Sequence, residues 1–426
     1  MQFSPDMILS SIIFIAAYAI IVTDKVDRVI VALGGGVLMV LVKLLEQKNA
    51  FEAIDYNTLG LLISMMVIVM ITKRTGVFEY LSIKMVKFAK GEPWKILVLL
   101  SIITAVTSAF LDNVTTILLV LPITLDVCKE LRLKPIPFII SQIFASNIGG
   151  TATLIGDPPN IMIGSRADLG FMDFIKNISP VIIPILAVTI LAFLLIYRKY
   201  LHTKPEYKQN VMQLNENEAI KDKKLLVKSL IVLALTVTGF IFHGTFHYES
   251  STVAMSGAVL LLLISGIHPE KVLKEVEWKT IFFFAGLFML VGGIEQAGVL
   301  ELIAKSIYKL SGDNLVLLGI SILWISAIVS AFVDNIPFTA TMIPLIKDIG
   351  TISGITLGPL WWALSLGACL GGNGTIIGAS ANVVASGMAE ESGHKITFVG
   401  YFKVCFPIML ITIALSTVYL LIFYLN

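Results

Sequence analysis

The sequence repeats itself at a fixed offset of 222 residues, and this duplication constrains the fold more than any other feature. The offset needs no gap between residues 27 and 161, and it superposes the least common parts of the chain. Chance similarity between apolar segments would match leucine with isoleucine, but not Asp-Asn, Gly-Gly, Thr and Asn at one shift. The aligned pairs are residues 108–113 with 330–335, Pro122 with Pro344, Gly149-Gly150 with Gly371-Gly372, and Asn160 with Asn382.

The composition places both copies in a lipid bilayer. Of the 426 residues, 57% are hydrophobic and 14% are charged, and the mean hydropathy is +0.90. Apolar runs of roughly 16 to 20 residues recur along the chain, each about long enough to cross the hydrocarbon as a helix. The net charge of +2 predicts no nucleic-acid surface. We therefore predict an all-α polytopic protein of the cell (inner) membrane.

A polar, basic stretch divides the chain into two halves. Residues 198–227 contain seven lysines and arginines, which predicts a cytoplasmic linker between a first repeat, 1–197, and a second repeat, 228–426. Two amphipathic stretches, 77–90 and 299–310, are predicted to rest at the membrane interface. Apolar segments are predicted near 8–23, 28–44, 58–73, 95–128, from 136 onward, and 178–197, and in the second half near 229–245, 252–266, 280–294, 316–349, 356–385 and 402–424.

The stretch 95–128 is interrupted by Asp112-Asn113 within apolar sequence. It could make two full crossings, or one re-entrant hairpin with Asp112-Asn113 at its tip. We favour the hairpin, because a turn at the membrane surface would not need a duplicated Asp-Asn. Each repeat then has five spanning segments, one of them a broken helix, and one re-entrant hairpin. An odd number of crossings inverts the second repeat relative to the first.

The distribution of basic residues favours this inversion. Segment 73–95 holds six lysines and arginines, whereas its counterpart 295–317 holds two. Segment 129–135 holds three, whereas its counterpart 351–357 holds none. Basic loops lie on the cytoplasmic side, so equivalent loops of the two repeats are predicted on opposite sides and both termini outside.

Asp112 and Asp334 are the most informative single residues. A carboxylate within apolar membrane sequence is costly and usually faces a cavity and a partner. Capping of a half-helix is the alternative role, because Asp caps helix starts well. The duplicated motif regions contain no lysine or arginine, and their remaining acidic residue is Asp157, whose counterpart is Ala379. We expect Asp112 and Asp334 to bind a sodium ion or a proton that is coupled to transport, with Asp157 ranked below them.

The glycine-rich segments after Asn147 and Cys369 are the second candidate feature. Paired glycines followed by Thr or Asn suit an unwound link in a broken helix, whose free carbonyls can hold a cation and whose half-helix N-termini can hold an anion. Close helix packing through small residues is the alternative. The predicted cation- and substrate-binding residues are Asp112, Asn113, Thr115, Thr116, Asn147, Gly149, Gly150, Thr151, Thr153, Asp157, Asn160, Asp334, Asn335, Thr339, Gly371, Gly372, Asn373, Thr375, Ser380 and Asn382. Asp112, Asn113, Asp334 and Asn335 form the possible sodium site among them.

Other reactive residues carry weaker signals. His243 and His247 stand four apart without a third ligand, so an interfacial pair is favoured over a metal site. Cys369 could touch a soft solute, but a small packed side chain is the better interpretation. The sequence has neither a nucleophile–base motif nor a Walker motif, so we predict no enzyme activity and no cofactor other than Na⁺ or H⁺ as coupling ion.

At these motifs the sequence resembles the ion transporter superfamily, in the branch of the P protein, ArsB and NhaD-type antiporters, with citrate transporters as more distant relatives. The resemblance rests on residues 110–116, 147–150 and 155–160 and extends over nearly the whole chain. It implies a homodimer in the bilayer and an elevator mechanism. The first three helices of each half would form a scaffold, the hairpins and broken helices a moving domain, and 77–90 and 299–310 the connecting arms.

The resemblance and the polar segments together predict a secondary active transporter of an inorganic ion or small anion, coupled to sodium or protons. Sodium-coupled dicarboxylate transporters carry Ser-Asn-Thr at each hairpin tip, whereas residues 112–114 and 334–336 here read Asp-Asn-Val and Asp-Asn-Ile. This departure speaks against a dicarboxylate substrate. Arsenite or antimonite efflux, Na⁺/H⁺ antiport and an anion channel remain alternatives.

Overall fold

The computed structural model describes residues 4–23, 25–213, 215–246, 248–312 and 314–425, and all regular secondary structure within these ranges is helical. His247, one of the predicted interfacial pair, lies outside the described residues. The helices of the first half and the linker are α1 Pro5–Thr23, α2 Arg28–Leu41, α3 Gln47–Ala53, α4 Tyr56–Lys73, α5 Val77–Phe88, α6 Pro93–Ser108, α7 Asn113–Glu130, α8 Ile136–Thr151, α9 Pro158–Ala167, α10 Phe171–Asn177, α11 Ser179–Ile196, α12 Pro205–Met212 and α13 Glu216–Ala219. Those of the second half are α14 Lys223–Phe242, α15 Ser250–Ser265, α16 Pro269–Leu273, α17 Trp278–Gln296, α18 Val299–Ser311, α19 Leu315–Phe332, α20 Asn335–Ser353, α21 Gly358–Gly371, α22 Ser380–Glu391 and α23 Phe398–Phe423.

The sequence repeat is also a repeat of structure. Among the described residues, the eight helices from α2 to α9 each begin 222 residues before their counterparts from α15 to α22. The residue before α5 and the residue before α18 are both glycines with positive φ, Gly76 at 80° and Gly298 at 77°. A side chain is strained in that conformation, so the same sharp turn needs glycine in both halves. The inverted orientation of the halves in the membrane stays a prediction.

Six of the described helices are long and apolar enough to cross a membrane, by length and composition. Four shorter apolar helices accompany them, among them α2 and α15. Aspartates start several of the helices. Asp27 Oδ1 accepts the Val29 N–H at 3.0 Å, and Asp55 Oδ1 accepts the Thr58 N–H at 3.0 Å. Such caps satisfy backbone donors that the first helical turn leaves without a partner.

One group of helices, here called the frame, consists of α1, α2, α4, α14, α15 and α17. Its main contacts are reciprocal, because α2 of the first half packs on α17 of the second, and α15 of the second half packs on α4 of the first. The α2–α17 contact is close. A Cβ on Gly286 would lie 2.4 Å from the Leu33 backbone nitrogen, so glycine is needed there. The two halves are therefore interlocked through these contacts.

A second group, here called the hairpin bundle, contains α6 to α9 and α19 to α22, with α11 and α23 packed against it. Helices α6 and α7 form one hairpin, broken at residues 109–112, and α19 and α20 form the other, broken at residues 333–334. Helices α8 and α9 are one interrupted segment, and α21 and α22 are its counterpart. These breaks fall within the predicted stretches 95–128, 316–349 and 356–385.

The prediction that the paired glycines form the unwound links is wrong for Gly149, Gly150 and Gly371, whereas Gly372 lies in the second link. Gly149 and Gly150 lie in the last turn of α8, and Gly371 ends α21. The links follow them, at residues 152–157 and at two short 3₁₀ turns, Gly372–Gly374 and Ile376–Gly378. The glycines serve close packing instead. A Cβ on Gly149 would lie 2.1 Å from the Ala105 carbonyl oxygen, and one on Gly371 would lie 2.5 Å from the Ala327 carbonyl oxygen.

The basic linker folds onto the first half. Its helices α12 and α13 pack against α5, and the Lys221 N–H donates to the Thr75 carbonyl at 3.0 Å. Lys208 Nζ pairs with Glu92 at 2.7 Å. Helix α14 begins at Lys223, capped by Asp222, so the linker ends five residues earlier than the predicted boundary at 227.

Candidate functional site

Four helix starts surround one cavity of about 510 Å³ between the frame and the hairpin bundle. They are the starts of α7, α9, α20 and α22, that is, both hairpin tips and both helices after the unwound links. Each helix start carries a partial positive charge from its unpaired N–H groups. The two repeats thus contribute equivalent elements to one site.

The first hairpin tip is held by its own polar side chains. Asp112 Oδ1 accepts the Thr115 N–H at 2.9 Å, so it caps α7 as the alternative interpretation foresaw. Asn113 Oδ1 accepts the Ser108 hydroxyl at 2.7 Å. Ser146 on α8 donates to the Asn113 carbonyl at 3.1 Å. The tip is therefore fixed at the level of the break between α8 and α9.

The second tip has a partner that the motifs did not reveal. Arg28 Nη1, at the start of α2, donates to Asp334 Oδ2 at 3.0 Å and to the Ser380 hydroxyl at 2.8 Å. Ser380 in turn donates to Asp334 at 2.9 Å. The motif regions contain no lysine or arginine, so the cation that pairs with Asp334 comes from outside them.

Asp157 lies between the two repeats. It is 1% exposed, it caps no helix with its side chain, and Asn335 Nδ2 lies 3.3 and 3.5 Å from its two oxygens. None of the ion pairs among the described residues involves Asp157 or Asp112. A buried carboxylate without a cation is costly, so this position is a strong candidate for binding one.

The predicted asparagines at the breaks act as braces. Asn160 Nδ2 donates to the carbonyls of Thr151 at 3.0 Å and Thr153 at 2.9 Å. Its counterpart Asn382 donates in the same way to Gly372 at 2.7 Å and Thr375 at 2.9 Å. These amides satisfy carbonyls that the helix interruption releases, so both residues hold the links in shape and do not face the cavity.

Asn147 and Asn373 meet at the centre of the hairpin bundle. Asn147 Nδ2 donates to Asn373 Oδ1 at 2.9 Å and to Asn382 Oδ1 at 3.0 Å. Asn147 Oδ1, Asn373 Nδ2 and the Thr116 hydroxyl are buried polar atoms for which the described residues supply no hydrogen-bond partner. They mark a polar interior behind the cavity wall.

The structure thus divides the predicted site residues into two sets. Asp112, Asn113, Asp157, Asn335 and Ser380 line the cavity, and Asp334 lines an adjoining crevice of about 340 Å³. The other predicted residues lie behind the wall, where the glycines pack and some hydroxyls donate to backbone carbonyls, such as that of Thr339 to Asn335 at 2.8 Å. This second set is Thr115, Thr116, Asn147, Gly149, Gly150, Thr151, Thr153, Asn160, Thr339, Gly371, Gly372, Asn373, Thr375 and Asn382.

Sequence reasoning missed three charged residues of the cavity, all from the frame: Arg28, Glu277 and Lys279. Glu277 precedes the first residue of α17, and Lys279 pairs with Asp27 at 3.0 Å. The signal that could have found them is their position at the starts of predicted spanning segments. Among the described lining residues, the carboxylates of Asp112, Asp157 and Glu277 outnumber the two cations.

Two interrupted helices and two hairpins that meet at a charged cavity, inside a shell of apolar helices, define a multi-pass membrane transporter. The comparisons with known proteins agree. The sequence model of the family "Citrate transporter" matches residues 18–367. The chain belongs to this citrate transporter family.

Relatives extend over the whole chain. An "Uncharacterized transporter" of Mycobacterium bovis is 41% identical over 414 residues, which are 96% of each chain. The "P protein" of Homo sapiens is 32% identical over 97% of this chain, which spans 59% of that protein. The crystal structure of the Alcanivorax borkumensis YdaH transporter has a TM-score of 0.55 at 14% identity and 98% coverage of both chains, and it shares the fold.

These findings confirm several predictions. The resemblance to the P-protein and citrate-transporter branch is confirmed, as are the all-helical multi-pass fold and the location in the cell (inner) membrane. The family model and the mycobacterial relative both describe transporters, which confirms a transporter and not an enzyme. The coupling ion, the solute, the elevator movement and the homodimer stay predictions.

Proposed function

We propose that this chain is a secondary active transporter that exchanges a sodium ion for protons through the cavity between the frame and the hairpin bundle. The observation that carries the proposal is the burial of Asp157 beside Asn335 without a cation, in a cavity that Asp112 also lines. A carboxylate in such a place either binds a cation or takes up a proton. One site that alternates between these two states is what Na⁺/H⁺ antiport requires.

The charges of the cavity favour a cation over a multiply charged anion. Its lining carboxylates outnumber its cations, and both cations are already paired, Arg28 with Asp334 and Lys279 with Asp27. The helix starts favour anions, but the carboxylates of Asp112 and Asp334 already cap two of them, and Asp157 stands directly before a third. An anionic solute would therefore bind only together with cations, as in symport.

Oxygen ligands for sodium are available at the tips. The carboxylates of Asp112 and Asp157 and the side-chain oxygens of Asn113 and Asn335 belong to the same cavity wall. These are the ligand types that hard cations prefer. Arsenite has no comparable support, because Cys369 is fully buried and its thiol donates to Asn160 Oδ1 at 3.6 Å.

The two-group architecture supports an elevator movement in which the hairpin bundle slides along the frame and α5 and α18 serve as arms. The duplicated elements and the charge asymmetry of their loops support inverted repeats, which would make the two end states approximate mirror images. We also propose the homodimer, on the resemblance alone.

The proposal is tested with purified protein in liposomes that contain a pH-sensitive dye. A sodium gradient should drive proton flux that saturates, whereas single-channel conductance steps would point to a channel. Asp157→Asn and Asp112→Asn keep the shape, remove the charge and should lower sodium-driven flux by at least about tenfold. Asp126→Asn is the matched control, because Asp126 is an exposed carboxylate on the same helix as the first tip. Unchanged flux in both cavity variants would contradict the proposal.

A further inference from the structure

We infer that Arg28 is a coupling latch, which ties the frame to the hairpin bundle through Asp334 while the second tip holds no cation. This inference rests on the proposed function, because it assigns a role to a contact at the edge of the same site. The bond joins residues that are 306 positions apart in sequence and belong to different groups of helices. Any sliding of one group along the other has to break it.

The latch is anchored on the frame side. Arg28 is the first residue of α2, and its guanidinium lies 5.2 Å from the ring centre of Phe283 on α17. On the other side, Asp334 caps α20 and Ser380 begins α22, so one guanidinium nitrogen holds a hairpin tip and the helix after an unwound link. The Asp334 side chain is 14% exposed and that of Arg28 is 34% exposed. The contact is thus sheltered from water but reachable from the crevice.

The charged groups around Asp334 leave Arg28 as its cation. Lys279 and Asp27 line the same crevice, but they pair with each other at 3.0 Å. Asp157 faces the second tip from the first repeat, through Asn335. Asp334 therefore sits between one guanidinium and one further carboxylate. A sodium ion or proton that neutralises Asp334 removes the charge attraction and leaves Arg28 with the Ser380 hydroxyl alone.

The repeat contains no counterpart of the Arg28–Asp334 contact that could form in the opposite end state of the elevator movement. The counterpart of Arg28 is Ser250, and the counterpart of Asp334 is Asp112. If the end states are mirror images, the opposite state would bring Ser250 to Asp112, where no ion pair can form. A second bridge between frame and bundle, Asp55 with Arg166 at 3.3 Å, has Glu277 and Met388 as counterparts and is lost in the same way.

Two consequences follow. The empty carrier is held in the present conformation, whose cavity is lined by Arg28, Glu277 and Lys279 at the ends of frame helices that the charge pattern places in the cytoplasm. Net sodium efflux requires the empty carrier to return, and that step is slow. Exchange of sodium for sodium, in which the carrier returns loaded, is therefore faster than net efflux. The latch thereby favours exchange over net flux, because it opens only when a cation or proton neutralises Asp334.

The transport test compares the rate of sodium–sodium exchange with the rate of net sodium efflux in liposomes. Arg28→Gln should raise net efflux relative to exchange by about tenfold, which corresponds to about 1.4 kcal/mol. Arg74→Gln is the matched control, since it breaks an ion pair between Arg74 at the end of α4 and Glu275 just before α17, outside the cavity, and it should leave the ratio at the wild-type value. An unchanged ratio in Arg28→Gln overturns the latch. An equal loss of the exchange rate and the net efflux rate, together with a raised KM, also overturns the latch, because it would make Arg28 a solute ligand.

A second test needs no transport. Met162 is the counterpart of Val384, is fully buried, and lines a cavity of about 70 Å³ at the opposite end of the frame contact. The three native cysteines are buried. Without sodium, Met162→Cys should react slowly with an impermeant thiol reagent, and about tenfold faster when combined with Arg28→Gln. Equal labelling rates overturn the latch, whether or not sodium-driven flux is found. If sodium-driven flux is absent but the labelling rate changes with Arg28→Gln, the Na⁺/H⁺ antiport is contradicted and the latch is not.

If Arg28→Gln does not fold, the charge swap Arg28→Asp with Asp334→Arg is used in its place. This double variant restores the ion pair and should keep the slow labelling.

Discussion

Replacement of Gly149 by alanine tests how the hairpin bundle is packed. The alanine Cβ would lie 2.1 Å from the Ala105 carbonyl oxygen and 2.5 Å from the Ala105 Cα. Both atoms are backbone of α6, so no side chain can rotate away. Helices α6 and α8 would have to separate by roughly 1 Å to restore van der Waals contact.

The magnitude follows from two opposing terms. Alanine gains about 0.5–1 kcal/mol over glycine inside a helix. Overpacking of a close contact costs about 1–3 kcal/mol. Gly34→Ala is the matched control, because nothing lies within 4 Å of its Cβ and only the favourable term applies. The two variants should therefore differ in unfolding free energy by about 1–3 kcal/mol.

The assay is thermal unfolding of each purified variant in detergent, followed by tryptophan fluorescence and by loss of the monodisperse gel-filtration peak. Gly149→Ala should melt below the wild type, and Gly34→Ala at or above it. Gly371→Ala should also melt lower, by less, because its closest backbone atom is at 2.5 Å. If Gly149→Ala melts together with Gly34→Ala, the glycines are not packing residues and close packing does not explain why they repeat.

Two further predictions concern the docking of the linker and the topology of the two halves. The hydrogen bond from Lys87 lowers the pKa of Glu216, so linker docking is stabilised above the ordinary value of 4.5 and weakens as the pH falls through the lowered pKa. The amides of α13 should lose protection from hydrogen exchange, corrected for intrinsic rates, at acid pH. In Glu216→Gln they should lack this protection already at pH 7. Equal protection in the variant and the wild type at pH 7 would contradict the prediction. For the inverted topology, Glu79→Cys and Glu301→Cys stand at equivalent exposed positions of α5 and α18 and should react with an impermeant thiol reagent from opposite sides; reaction from one side would exclude inverted repeats.

The fold was largely predictable because its signals are patterns of the sequence itself. Apolar length located the spanning segments, and duplication located both hairpins and both broken helices, since each break carries polar residues within apolar sequence. The glycines after Asn147 were misinterpreted for a physical reason. A glycine that permits close packing and a glycine that unwinds a helix look the same in one sequence, and only the position of α6 distinguishes them.

The site was predictable only in part because its electrostatics are not local. The carboxylates of Asp112, Asp157 and Asp334 stand out in apolar sequence. The partner of Asp334 is 306 residues away, at the start of a helix in the other half, where an arginine looks like an ordinary residue of a cytoplasmic loop. Similarly, no periodicity could show that Asn160 and Asn382 point at backbone carbonyls and not into a cavity.

The positions where the repeat holds and where it fails have different physical roles. Asn160 and Asn382, like the paired glycines, are identical in both halves, and each braces or packs the same local geometry twice. Two charges of the site do not repeat, although the tip aspartates do: Asp157 is aligned with Ala379, and Arg28 is aligned with Ser250. The repeated asparagines and glycines build the same local structure in each half of the fold. A carrier that rests in one state and responds to a cation needs the charges that do not repeat, because identical charges in both halves would stabilise both end states equally and leave nothing for the ion to shift.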